Sequence, residues 1–222
     1  SWQLIGRSAL GAMLTIALLS GLIVTDPFLQ RAAAAPPLPI DPSTTCDRTW
    51  SRGGGDYTAT EFLFASSWNE EQPLSDTSVI CIPGGQVRVT GLTATFAAVG
   101  ISPSANLILD SSTLDLSSTS MLGGLVLENG SSLGLAADAT VAADTTLTVA
   151  GSITSSSGAT LTIDGSMFVT GSSTFDLDVV NSGSTTIERT VTLLASRVFT
   201  NAGTMEVSTF GDIRGRNDQP GR

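Results

Sequence analysis

The sequence predicts an all-β fold, a right-handed parallel β-helix that begins with an irregular, disulfide-closed cap. Three observations predict it: a recurring apolar-x-apolar triplet, polar turn residues between the triplets, and few aromatic side chains. Aromatic residues make up 5% of a chain that is 41% apolar. A narrow core of stacked aliphatic side chains needs little aromatic bulk, whereas a globular core of this size normally contains more.

The triplets run from about residue 105 to 210, and alternation at period two is typical of short strands with one buried face. The longer gaps hold single apolar residues (Val141, Ile153 and Val198). The underlying step is therefore about seven residues, and three steps make a coil of about twenty. The pairs are Leu107/Leu109, Leu114/Leu116, Leu125/Leu127, Leu133/Leu135, Leu147/Val149, Leu161/Ile163, Met167/Val169, Phe175/Leu177, Val191/Leu193 and Met205/Val207.

Residues 1–34 have the features of a secretory signal peptide. Arg7 precedes the apolar run Ala9–Thr25, and Ala32-Ala33-Ala34 offers a small-residue cleavage site after Ala34. The alternative is an uncleaved N-terminal membrane anchor, because Leu4–Val24 approaches the ~20 residues that span a bilayer. Either interpretation predicts a secreted or cell-surface protein, which contacts a membrane only if this segment stays uncleaved.

Residues 35–43 form a Pro-rich linker, and residues 44–78 form the predicted N-terminal cap. Cys46 in the cap and Cys81 in the first plausible strand are the only two cysteines. In an exported chain we expect them to pair, closing a loop of roughly 36 residues that stabilises the fold by about 3 to 4 kcal/mol. The alternative is two unpaired, buried thiols.

The β-helix is expected to span residues 79–210. Right-handed winding follows from the usual chirality of parallel crossover connections. Residues 211–222 lack apolar alternation and are predicted to be a disordered tail or a truncated end.

The charge pattern excludes several functions. The net charge is −10, all ten cations are Arg, and no cation lies between Arg88 and Arg189. Such a surface repels phosphate backbones, so we expect no nucleic-acid partner. Without His or Lys, a nucleophilic Ser lacks its usual base, and the commonest transition-metal ligand is missing.

Asp176-Leu177-Asp178 places two carboxylates on one outward strand face, and Asp164 of a neighbouring coil can join them. The three acids are weak candidates for a Ca²⁺ site or for a carboxylate pair that cleaves polysaccharide. The alternative is that outward acids simply keep a strand soluble. We predict no catalytic residue and no cofactor. Arg189 and Arg197 are placed where they could pair with Glu188 or Glu206, and surface pairs of that kind contribute little to stability.

Several phrases resemble the repeats of bacterial autotransporter passengers and haemagglutinin-type adhesins. They are the cap sequence from Trp50 through Trp68-Asn69 to Ile82-Pro83-Gly84, and the repeats Asn129–Leu133, Ser157–Ile163 and Thr200–Val207. The resemblance spans residues 44–210 and implies a parallel β-helix; no functional motif of the family has a match here. The export signal, the missing bases and the outward Ser, Thr and Asp side chains favour an exported, non-catalytic surface or adhesive structural protein with an unidentified cell-surface or glycan ligand. The alternative is an exported β-helix polysaccharide lyase or glycoside hydrolase.

Overall fold

The computed structural model of the chain describes residues 46–69, 71–194 and 196–215. These residues form a parallel β-solenoid whose faces wind around one apolar core. The predicted signal peptide (1–34) and linker (35–43) lie outside the described residues. The all-β fold class and the parallel winding are confirmed.

The strands lie on three faces, and within each sheet neighbouring strands pair in parallel. Face 1 consists of Gly55–Thr58, Gly85–Thr90, Ala105–Asp110, Leu125–Glu128, Thr146–Val149, Ser166–Val169, Ser184–Ile187 and Thr204–Val207. Face 2 consists of Thr93–Phe96, Thr113–Leu116, Ser132–Leu135, Ser152–Ser155, Ser173–Asp176, Thr190–Leu193 and Asp212–Gly215. Face 3 consists of one sheet of Arg48–Thr49, Val79–Ile82 and Ala98–Ile101, and a second of Ser120–Met121, Ala139–Val141, Thr160–Ile163, Asp178–Asn181 and Phe199–Asn201.

One strand from each face makes a coil, and the structure has about seven such coils. The face 3 strands that open successive coils begin at residues 79, 98, 120, 139, 160, 178 and 199. The repeat is therefore about 20 residues long, as the triplet spacing predicts.

The core is a set of columns in which equivalent inward residues stack from coil to coil. On face 1, one column consists of Leu109, Leu127, Val149, Val169 and Ile187, each 0% exposed. Because parallel strands repeat every ~4.8 Å, each side chain packs directly on the next. A coil therefore has little core of its own and depends on the coils above and below it.

Serine side chains satisfy the backbone where face 1 turns into face 2. Ser112 and Ser131 are 3% and 1% exposed, and occupy equivalent corner positions in successive coils. The hydroxyl of Ser112 accepts a hydrogen bond from Leu92 N and donates to Asp110 O, and that of Ser131 accepts from Ser112 N. Buried polar backbone groups at this corner are thus paired rather than left unsatisfied.

Glycines line the corner between face 3 and face 1 in the last three coils. Gly165, Gly183 and Gly203 are stacked so closely that a Cβ on Gly183 would overlap the carbonyl oxygens of Gly165 and Asp164. A Cβ on Gly203 would likewise overlap the carbonyl oxygen of Gly183. Here glycine is required by the close approach of neighbouring backbones.

Gly183→Ala is expected to lower the free energy of unfolding by about 2 to 3 kcal/mol, because the obstructing atoms are backbone atoms that cannot rotate away. Gly84→Ala is the matched control, since nothing lies within 4 Å of a Cβ at that position. Urea denaturation followed by circular dichroism measures both variants. Equal midpoints for the two would contradict the packing argument.

The cap replaces face 2 in the first turn of the chain. Helix α1 (Ala59–Leu63) begins with a capping box, in which Thr58 Oγ1 accepts from Glu61 N and the Glu61 carboxylate accepts from Thr58 N. The latter bond holds the pKa of Glu61 below its usual value. The short 3₁₀ helix Ala65–Ser67 follows, and the rings of Trp50, Phe62 and Trp68 contact one another, each pair with centroids 5.2 Å apart.

The predicted disulfide is confirmed: Cys46 and Cys81 are bonded, with Cα atoms 5.8 Å apart. The predicted boundary between cap and solenoid is less sharp than expected. Arg48–Thr49 pairs with Ile80–Cys81 on face 3, and Gly55–Thr58 pairs with Val87–Thr90 on face 1. Residues of the predicted cap (44–78) therefore already contribute strands to two faces.

The predicted disordered tail (211–222) is wrong over Asp212–Gly215, which pairs with Thr190–Leu193 and ends face 2. Residues 216–222 lie outside the described residues. This strand has one half-buried apolar residue, Ile213, between two outward charges. A search for apolar pairs misses a strand of that kind.

Candidate functional site

The two acids of Asp176-Leu177-Asp178 lie on different faces of the solenoid. Asp176 ends a face 2 strand, Asp178 begins a face 3 strand, and Leu177 between them is fully buried at the corner. The expectation that both carboxylates share one outward strand face is therefore wrong. The Phe175/Leu177 pair straddles a corner, and both of its members still point inward.

Each of these carboxylates bonds to the next coil. Asp176 Oδ1 accepts from Arg197 Nε at 2.9 Å, and Asp178 Oδ1 accepts from Val198 N at 3.0 Å. The Asp176–Arg197 ion pair is partly exposed, so its net contribution to stability is small. Both acids nevertheless fix the connection that leads into Phe199–Asn201, which is a structural role.

The third candidate, Asp164, does not join them. Thr160 is paired with Asp178, and Asp164 lies four residues further along the same direction, about 13 Å away at the usual strand rise. Within residues 46–69, 71–194 and 196–215, no three or more His, Cys, Asp or Glu side chains are grouped as metal ligands. The structure therefore does not bring the three acids together into a Ca²⁺ site.

The predicted partners of the late arginines are also wrong. Arg197 pairs with Asp176, one coil earlier, rather than with Glu188 or Glu206. The guanidinium of Arg189 lies over the ring of Phe210, 5.6 Å from its centroid.

An arginine on face 1 links four turns of the chain, and sequence reasoning missed it. Arg88 Nη1 contacts Glu128 Oε2 at 2.6 Å and Asp110 Oδ2 at 3.3 Å, while its Nε lies 3.6 Å from Asp56 Oδ1. Its strand neighbour Ile108 points outward yet is only 4% exposed. The Arg88 stem passes over this position to reach Glu128, and so covers an apolar side chain.

Hydrogen bonds in this network shift two pKa values. The bond to Glu128, above all, raises the pKa of Arg88. The pKa of Asp110 is lowered, first by a hydrogen bond from Asn129 Nδ2 and then by Ser111 and Arg88. Both shifts favour the charged forms, which suits a structural ion-pair network and not a general acid or base working near neutral pH.

Face 2 presents an uninterrupted column of outward hydroxyl groups across six strands. Adjacent strands align at each step, and Ser152 Oγ donates to Ser132 Oγ at 3.0 Å. At the usual strand spacing the column is about 24 Å long. Its members are Thr93, Thr113, Ser132, Ser152, Thr174 and Thr192.

Beside this column lies an open groove of about 300 Å³, centred on Gly134. Its outward positions on successive strands are Thr95, Asp115, Gly134 and Thr154, with Ser117, Ala136 and Ser156 along the corner. The Asp115 carboxylate leans over Gly134, where a Cβ would overlap it. Among the described residues this exposed carboxylate has no hydrogen-bond partner, so it can accept hydrogen bonds from a bound molecule.

The groove does not place two carboxylates at catalytic spacing. Asp176 follows Thr154 in the same column, three strand spacings and about 14 Å from Asp115. Glycosidases hold their two carboxyl groups roughly 5 to 9.5 Å apart. The residues lining the groove offer one carboxylate and several hydroxyls, an arrangement suited to binding hydroxyl-rich molecules.

Comparison of the chain with protein-family models, with curated proteins and with solved structures gave no match. Over the part of the chain that the structure describes, no helix is long and apolar enough to cross a membrane. The assignment of a function therefore rests on the surface chemistry of the faces.

Proposed function

We propose that this chain is an exported, non-catalytic β-solenoid that serves as a structural or adhesive element at a cell surface. The observation that carries the proposal is the flank formed by face 2. It presents a continuous column of hydroxyl groups beside a groove with one unpartnered carboxylate, that of Asp115. The residues lining the groove include no His or Lys and no second carboxylate within catalytic distance of Asp115. The disulfide and the resemblance to bacterial surface repeats support the same proposal.

The ligand class that this flank favours is a glycan. Serine and threonine hydroxyls donate and accept hydrogen bonds, and a carboxylate accepts them from sugar hydroxyls. The groove carries no cation, so an acidic polysaccharide would meet repulsion from Asp115. A neutral glycan lying along the solenoid axis fits this chemistry better.

Binding of the exported protein to immobilised neutral and acidic oligosaccharides tests the proposal. The immobilised neutral glycans should retain the wild-type chain. Gly134→Leu, which fills the groove, should weaken this binding about tenfold or more. Thr162→Leu is the matched control, because Thr162 points outward from the middle of a face 3 strand. Equal binding by both variants, or no binding to any glycan or to cells, would contradict a role for this flank.

The competing function is polysaccharide cleavage, which the groove itself favours as a place where a glycan can lie. The same panel, assayed for turnover, separates the two functions. Turnover that is abolished by Asp115→Ala, Asp176→Ala or Asp178→Ala would overturn the non-catalytic proposal. We expect binding without turnover, since these carboxylates are about 14 Å apart or bonded to the next coil.

A further inference from the structure

Gly134 lies within a face 2 strand, and the backbone does not require a glycine there. Its φ is outside the left-handed region, so a residue with a side chain can adopt the same conformation. The three atoms nearest to an added Cβ all belong to the side chain of Asp115. At Gly165, Gly183 and Gly203, by contrast, the nearest atoms are backbone atoms. A glycine inside a strand often marks a place where a ligand approaches closely.

This glycine leaves a gap in a column of outward polar side chains. Asp115, Gly134 and Thr154 are aligned on successive strands, so a carboxylate and a hydroxyl lie on opposite sides of the gap. At the usual strand spacing the Cα atoms of Asp115 and Thr154 are about 10 Å apart. Neither side chain makes a hydrogen bond with another of the described residues. Both are therefore free to bond to a molecule in the gap.

Ser132 supplies a third polar group beside the gap. It precedes Gly134 by two residues, so both lie on the same side of the strand. Its oxygen already accepts a hydrogen bond from Ser152 Oγ at 3.0 Å, which leaves the Ser132 proton to be donated. Ala136, at the corner, contributes only a methyl group. The gap thus offers one acceptor-only carboxylate, one hydroxyl that donates or accepts, and one hydroxyl with a proton to donate.

These groups match two adjacent hydroxyls of one sugar ring. One sugar hydroxyl can donate to the Asp115 carboxylate, while its neighbour accepts from Ser132 or Thr154. A hydrogen bond to a carboxylate is about twice as strong as one between neutral groups. An acidic sugar would bring a second negative charge to Asp115 and be repelled. The gap therefore favours a neutral sugar whose adjacent hydroxyls are unsubstituted.

The direction of the groove favours one kind of linkage between sugars. Aligned residues on parallel strands form straight columns along the solenoid axis, with one outward position of each column in each coil. Sugars joined through equatorial bonds, as in β-1,4-linked glucose, form extended chains in which each sugar advances by nearly one strand spacing. An α-1,4-linked chain coils and leaves a straight groove. Only the extended chain can place successive sugars beside successive coils.

We propose that the groove binds an extended, equatorially linked neutral glycan of the β-1,4-glucan type, with one sugar seated over Gly134 between Asp115 and Thr154. The proposal rests on the proposed function, and it adds the linkage of the glycan and the residues that select it. Asp115 accepts from one hydroxyl of the seated sugar, and Ser132 and Thr154 bond to the adjacent one. The neighbouring sugars lie against the hydroxyl groups of the coils on either side.

Cellotetraose and maltotetraose test the linkage, because they contain the same sugar and differ in its linkage geometry. Isothermal titration of the full chain should show that cellotetraose binds about tenfold or more tightly, since maltotetraose reaches fewer of the aligned groups. Equal affinities, or no binding of cellotetraose, would overturn this inference. The proposed function would fail only if the wider glycan panel and cells were not bound either, so the two failures are distinguishable.

Gly134→Ser tests the gap itself, because it places the chain's own hydroxyl where the sugar hydroxyl would lie. Cellotetraose binding should weaken about tenfold or more. The urea midpoint should stay the same or rise, since the obstructing carboxylate ends a rotatable side chain and glycine weakens a strand. A clearly lower midpoint would mean that Gly134 serves the fold, and unchanged binding would mean that the gap is not the seat. Either result would overturn the proposal.

Two nearly isosteric variants test the groups on either side of the gap. Asp115→Asn replaces an acceptor oxygen by a donor and should weaken cellotetraose binding about tenfold or more, and Thr154→Val should weaken it about threefold or more. Thr162→Val makes the same change on face 3 and is the matched control. Unchanged affinity in either groove variant, or an equal effect of Thr162→Val, would overturn the assignment of these residues.

Discussion

Phe175→Ala is expected to lower the free energy of unfolding by about 3 to 5 kcal/mol. Phe175 is 0% exposed and packs in an inward column between Ile153 and Leu193 of the neighbouring coils. Truncation removes buried apolar surface and leaves a cavity that three coils share. Since each coil depends on its neighbours, the loss should spread beyond the coil that contains the substitution.

Phe168→Ala in the same coil is the control for residue type. Phe168 points outward and is 39% exposed, so its truncation should change stability by less than about 1 kcal/mol. Urea denaturation gives the two free energies, and hydrogen exchange shows which coils lose protection. Similar effects for the two variants would mean that the inward columns do not hold the solenoid together.

The period of the fold could be predicted because its causes are local. A side chain on a strand points inward or outward according to its position, so pairs such as Leu133/Leu135 and Leu161/Ile163 identify strands without knowledge of their neighbours. The same rule places Val141 and Ile153 in the core, where both are 0% exposed. It fails for Val198, which is 56% exposed, because Phe199 takes the inward position beside Val179.

Corners explain the error at Asp176 and Asp178. Two apolar residues on one strand and two that lie on either side of a corner give the same sequence pattern, which is two buried residues separated by one position. The apolar pattern therefore cannot show whether the intervening residue is outward on a flat strand or at a bend. Here the bend falls at Leu177, which separates the two acids and turns each of them toward the next coil.

Contacts on the outer surface could not be predicted because they depend on the alignment of distant coils. Arg88 meets Glu128 across 40 residues of sequence, and the groove combines Asp115, Gly134 and Thr154 from three coils. Alignment is set by the number of residues in each coil, which varies around twenty. The contacts of an outward Asp or Gly in one coil can be predicted only when the outward residues of the neighbouring coils that align with it are known.

The disulfide was predictable in its pairing, since the chain contains two cysteines, but not in its structural effect. Thr49 pairs with Cys81 on face 3, so the bond reinforces the strand contact that joins the cap to the first full coil. Cys81→Ser, or reduction, is expected to lower the free energy of unfolding by about 3 to 4 kcal/mol, because it releases a loop closed between residues 35 positions apart. Tryptophan fluorescence of Trp50 and Trp68 should report loosening of the cap before circular dichroism reports loss of strands.

Loosening of the cap also exposes the strand edge at Arg48–Thr49 that residues 67–69 otherwise cover. We therefore expect reduced protein to associate through its cap end at temperatures below the melting of the solenoid. Light scattering with and without reductant measures this association. Two free thiols in the protein purified without reductant would contradict the bridge, and an unchanged oligomeric state after reduction would contradict its protective role.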